Sequence, residues 1–98
     1  MVVHWTVDAV ANLNEMFDNS TYTEEDTRAF VNSFYQRADQ LKHSPFSGPM
    51  IPEYNREDVR ELIHKKHRIV YRTLTDEVHI LMVIHSRRQL PHINLGDQ

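Results

Sequence analysis

Apolar and polar positions along the chain change their period three times, and each change predicts an element. Met1–Trp5 is a short apolar run with β-branched and aromatic residues, which predicts a strand. Thr6 then suits a helix cap, with Asp8 in the first turn. Val10, Leu13, Met16 and Phe17 recur at helical spacing, and Asn19-Ser20-Thr21 stops that helix. Thr23 followed by Asp26 predicts a second cap, with Glu24, Glu25 and Asp26 on the positive end of the helix dipole. Phe30, Val31, Phe34, Ala38 and Leu41 form its apolar stripe. Three prolines and a glycine make 44–52 a loop. Period-two strands follow at Val59–His64, His67–Leu74 and Val78–His85. The order β-α-α-β-β-β predicts an α+β fold. A helix hairpin would cover one face of a small, mostly antiparallel sheet.

Side-chain parity predicts a register for the last hairpin. Pairing Thr73 with Val78, Tyr71 with Ile80, Ile69 with Met82 and His67 with Ile84 sends one apolar set under the helices. The other face then carries an apolar strip, Val70, Leu81 and Val83, bordered by Arg68, Arg72, His79, His85 and Arg87. An apolar centre with a charged rim has the anatomy of a partner-binding surface. The competing reading pairs Arg68 with Glu61 and Arg72 with Glu77 across strands, leaving Arg87 and Arg88 as solvated strand-end charges.

Composition narrows the classes. The chain of 98 residues fits one domain, residues 1–98, with a short polar tail from about residue 89 expected to fray. The absence of cysteine removes disulfides and thiolate zinc sites. The net charge of −3 argues against a general nucleic-acid binder. The charge is uneven: seven acids in residues 1–40 face only Arg28 and Arg37, whereas most cations lie beyond residue 41. No apolar run is long enough for a membrane span and no signal-like segment opens the chain, so a cytoplasmic location is expected, with no membrane partner. Among the histidines, His79 and His85 are separated by about 20 Å along one strand, too far to share a metal. No metal and no cofactor are expected. Ser86 has no acid–base partner for a nucleophilic triad.

Several segments, taken in order, resemble one family. They are His4-Trp5-Thr6-Val7-Asp8-Ala9, Pro45-Phe46-Ser47-Gly48 with Pro52-Glu53, Val59-Arg60-Glu61-Leu62, His67-Arg68-Ile69-Val70-Tyr71-Arg72 and Ile84-His85-Ser86-Arg87-Arg88. The set is similar to the RelE/ParE toxin superfamily of bacterial type II toxin–antitoxin modules, over about Val3 to Leu90. The resemblance implies a toxin held inactive by a cognate antitoxin, with operator DNA reached only through that antitoxin. It also implies one of two targets. RelE-type members cleave mRNA in the ribosome; ParE-type members poison DNA gyrase and are not nucleases.

For the nuclease, the matching residues are Glu53, Arg68, His85 and Arg87, which would supply acid, base and cations for the phosphate. The last strand departs from the nuclease pattern, because His85-Ser86-Arg87-Arg88-Gln89-Leu90 lacks the aromatic residue that stacks on a base. The ParE-type branch is therefore favoured, with gyrase as target and no catalytic residue. An inactive relative that only binds antitoxin is the third alternative. The antitoxin-binding residues expected are Arg68, Val70, Arg72, Leu81, Val83, Arg87 and Arg88.

Overall fold

The computed structural model describes residues 1–18 and 23–95. Its elements are β1 (Val2–Trp5), α1 (Val7–Asp18), α2 (Glu24–Asp39), a 3-10 turn (Gln40–Lys42), β2 (Val59–His64), β3 (His67–Thr73) and β4 (Glu77–His85). The architecture is α+β in the expected element order. The strands lie in the order β1-β4-β3-β2. β2, β3 and β4 are antiparallel, whereas β1 runs parallel to β4 at the edge.

Both expected caps form. The Thr6 hydroxyl accepts from the Ala9 N–H at 3.2 Å, and that of Thr23 accepts from Asp26 N–H at 3.1 Å. The Thr6 hydroxyl also donates to the Ile80 carbonyl at 2.7 Å, fastening the start of α1 to β4. The expected helix stop at Asn19-Ser20-Thr21 and the side chain of Phe17 lie outside the described residues.

The hairpin register needs a correction. Thr73 pairs with Val78 and Tyr71 with Ile80 as expected, but Val70 then pairs with Met82, Ile69 with Val83, Arg68 with Ile84 and His67 with His85. Leu81 is the extra residue of a β-bulge. One inserted residue exchanges the faces of everything beyond it. Val83 therefore turns under the helices, while Met82 and Ile84 turn to the second face. His79 and His85, expected on one face, lie on opposite faces.

The helix-side core joins Ala9, Leu13, Phe34, Ala38 and Leu41 to Leu62, Ile69, Tyr71, Val78, Ile80 and Val83. Phe34 is fully buried, a burial that contributes roughly 1.5–3 kcal/mol. Trp5 closes one end of this core against Tyr35, ring centroids 4.5 Å apart. The second face has its own small core, Ile51, Val59 and Val70. Tyr54, Leu81, Met82, Ile84, Leu90, Ile93 and Leu95 pack on it. The segment expected to fray thus lays three apolar side chains on the sheet, and the Tyr54 hydroxyl donates to the Pro91 carbonyl at 2.6 Å. Three apolar residues in six, Leu90, Ile93 and Leu95, were its sequence signal.

Candidate partner-binding site

The second face is a lattice of internal ion pairs. Arg68 donates through Nε to Glu61 Oε1 at 2.8 Å and through Nη2 to Oε2 at 2.7 Å. This is a two-pronged guanidinium–carboxylate pair, with side chains only 13% and 9% exposed. Glu53 approaches the same arginine at 3.7 Å from a more exposed position. Arg72 donates to Asp58 at 3.1 Å, and Arg56 grips the same carboxylate with two bonds of 2.9 Å. The Arg56 hydrogen bonds, with those of Arg72 behind them, hold the Asp58 carboxyl below its usual range against the opposing effect of burial. The cross-strand pairing of Arg68 with Glu61 is therefore present. The one expected between Arg72 and Glu77 is not, because Glu77 is taken by His4 and His79. Asp58, which fills the place of Glu77, was missed because it sits one residue before the predicted strand.

The helix face ends in histidines. His67 and His85 are register partners with ring centroids 5.3 Å apart, and the Phe34 ring lies 4.5 Å from His64 and 5.7 Å from His67. The Ser33 hydroxyl spends its proton on the Phe30 carbonyl at 2.6 Å, so His64 Nε2–H donates to Ser33 at 2.9 Å. Nδ1 of His67 is buried without a hydrogen-bond partner among the described residues. Burial, then neighbouring His85 and His64, pushes the His67 pKa below 6.5; burial, then Lys65 and Arg37, does so for His64.

Folding thus disfavours the protonated rings. The unfolded chain binds protons first as pH falls, so this contribution is intact above pH 6.5 and is lost as pH falls through the lower folded values. We expect denaturant midpoints to decline from neutral pH toward pH 5, before the carboxylates titrate. His67→Gln should flatten that slope, a difference read from parallel denaturant titrations.

Between α1 and β4 lies an open groove. β1 pairs with β4 only as far as Ile80, so among the described residues the outer edge of β4 beyond that point has no strand beside it. Helix α1 crosses there instead, and Asn12 Oδ1 accepts the Val83 N–H at 3.0 Å. A cavity of about 240 Å³ is lined by Asn12, Glu15, Met16, His67, Ile84, His85 and Arg88. It adjoins a space of about 470 Å³ bounded by Asp8, Ala11, Leu81, Met82, Gln89 and Pro91. Arg87 and Arg88 are exposed at its end. Apolar strand side chains, an open edge and terminal cations make a surface suited to an extended or helical acidic segment.

The expected binding residues are thereby divided. Leu81 and Arg88 line the groove, and Arg87 is the exposed sequence neighbour of Arg88. Val70 is fully buried in the second core and Val83, at 5% exposure, lies under the helices. Arg68 and Arg72 are engaged by carboxylates. The nuclease set is also divided. Glu53 and Arg68 meet on the second face, while His85 turns to the other face beside His67. Asn12 and Glu15 were missed; a polar pair flanking the Leu13–Met16 stripe of α1 was the available signal.

Two helices on one face of a four-stranded mixed sheet, in this element order, agree with the RelE/ParE superfamily that the sequence resembles. The family of the ParE toxin of type II toxin–antitoxin system, parDE, matches residues 3–90, and the chain belongs to that family. A solved structure of the chromosomal ParDE TA system from P. aeruginosa is similar to it with a TM-score of 0.71 and 21% identity, covering 87% of this chain and 95% of that one. That likeness bears on the fold. Among curated proteins, none matches the chain by sequence. No helix among the described residues is long and apolar enough to cross a membrane.

Proposed function

We propose that this ParE-family toxin acts in the cytoplasm on DNA gyrase and is neutralised by a cognate antitoxin seated in the α1–β4 groove. The observation that carries the choice of target is the division of the nuclease set. Metal-free RNA cleavage requires acid, base and phosphate-binding cations around one scissile bond. Here Glu53 and Arg68 are on one side of the sheet and His85 on the other, and Arg68 already spends its two-pronged face on Glu61. A poison that works by binding needs no such convergence. Overproduction in growing cells tests the reading: DNA synthesis should fall before protein synthesis does. Protein synthesis collapsing first would favour the ribosome.

The antitoxin reading rests on the groove and on the two exposed arginines. Its apolar residues would lie against Leu81, Met82 and Ile84, and its acids would meet Arg87 and Arg88. Operator DNA is then reached through the antitoxin, in keeping with the net charge of −3. Charge reversal of both, Arg87→Glu with Arg88→Glu, should weaken the complex at least about tenfold, mostly through slower association. Unchanged affinity in a titration at low salt would exclude this surface as the antitoxin site.

A further inference from the structure

The β1–β4 edge carries a cluster that the groove does not use. His4 and His79 are register neighbours across the parallel pair. Glu77 precedes His79 by two residues and so shares its face. Glu77 Oε1 lies 3.1 Å from His4 Nε2, and Oε2 lies 3.0 Å from His79 Nε2. The two imidazoles stand edge to face with centroids 5.4 Å apart. Among the described residues this is the one group of three whose ligand atoms all fall within 4.8 Å of one another.

We propose that His4, Glu77 and His79 form a binding site for a first-row transition-metal ion of the zinc type, tying the N-terminal strand to β4. The donor set carries the choice of ion. Two imidazoles and one carboxylate suit zinc and its neighbours, whereas magnesium and calcium favour oxygen donors. The spacing is compatible. Bonds of about 2.0–2.1 Å in tetrahedral array separate donor atoms by roughly 3.3–3.4 Å; each imidazole nitrogen lies near that distance from one Glu77 oxygen, His4 at 3.1 Å from Oε1 and His79 at 3.0 Å from Oε2.

One donor atom from each residue lies within 4.8 Å of the other two, so the set must contract around an ion. His4 is exposed and His79 half-buried, so ring rotation accomplishes this while the strand ladder holds the backbones. The three side chains are partly open to solvent, His4 54%, Glu77 42% and His79 34% exposed. Arg72, the register partner of His79 on β3, is held by Asp58 at 3.1 Å. Such a metal ion would bridge residues more than seventy positions apart in sequence, and β1 itself is only four residues long.

The test is calorimetric titration of the untagged full chain with zinc chloride near neutral pH, repeated with magnesium chloride. One equivalent of zinc should bind and magnesium should not. His4→Gln and His79→Gln should each weaken zinc binding by at least about tenfold, the loss that even an outer-shell partner of a metal site causes. Both side chains are partly exposed, so circular dichroism should show unchanged folding. Zinc at about a hundredfold excess over its dissociation constant should raise the melting temperature of the natural chain by roughly 10 °C and leave that of the His4→Gln/His79→Gln double variant in place. Absence of binding would overturn the proposal and leave Glu77 as the acceptor of two imidazole hydrogen bonds. Undiminished binding in the double variant would overturn it equally, by placing the ion among the other histidines.

Discussion

Replacing Arg68 by alanine lowers the stability of the domain by about 3–5 kcal/mol, because it leaves a buried carboxylate without its partner. Glu61 is 7% exposed and both its oxygens are committed to this one guanidinium. Net stabilities of domains are only about 5–15 kcal/mol, so the variant would populate unfolded chain under mild conditions. Glu53 cannot substitute for the lost partnership, since it carries the same charge as Glu61. Removing both charges gives the opposite expectation. Arg68→Met with Glu61→Leu should restore most of the loss, because apolar residues of similar volume replace buried ion pairs at little cost. Denaturant titration of the natural chain, the single variant and the double variant reads all three. A single variant as stable as the natural chain would show that Glu61 finds water. Glu53→Gln, on the exposed rim, should change stability by no more than about 0.5 kcal/mol.

The second large effect is expected at Gly48. A Cβ added there would lie 2.2 Å from the Glu61 carbonyl oxygen and 2.8 Å from the Tyr71 hydroxyl. The first of these is backbone in the middle of β2, so no side-chain rotation relieves the clash. The glycine is where the 43–58 loop closes onto the sheet. Its N–H donates to the Tyr71 hydroxyl at 3.0 Å, its carbonyl accepts from Arg60 at 3.0 Å, and Pro49 O accepts the Glu61 N–H at 3.1 Å. Gly48→Ala must push the loop off β2 and break these bonds together. We expect a loss of about 3 kcal/mol or more, at the upper end of overpacking costs. A melting temperature within a degree or two of the natural chain would contradict this packing.

These two sites also show what sequence can and cannot carry. Element order, both helix caps and the helix-side core as far as Ile80 were legible, because 3.6- and 2-residue periods report directly on which side chains are buried. Arg68 with Glu61 was legible as a cross-strand pair. The bulge at Leu81 was not. Leu81, Met82, Val83 and Ile84 form an unbroken apolar run, so no polar residue marks the position where the alternation slips. That single residue moved Val83 from the expected binding surface into the core and separated His85 from Arg68. The parallel placement of β1 was also invisible, since a five-residue apolar segment carries no direction. With it went the groove beyond Ile80, the role of Asn12, and the meeting of His4 with Glu77 and His79. Long-range pairing of a short edge strand is fixed by the space left once the hairpins and helices have packed.

Binding to gyrase, not cutting of RNA, is the action proposed for this toxin. It is tested most directly by a cleavage assay with purified gyrase, supercoiled plasmid, ATP and the folded protein, run beside the Glu53→Gln/His85→Ala variant. Gyrase poisoning predicts trapped double-strand breaks and lost supercoiling with both proteins, reversed by the antitoxin. No cleavage complexes at a large excess of folded protein, with mRNA cut on ribosomes in a manner abolished by His85→Ala, would contradict it.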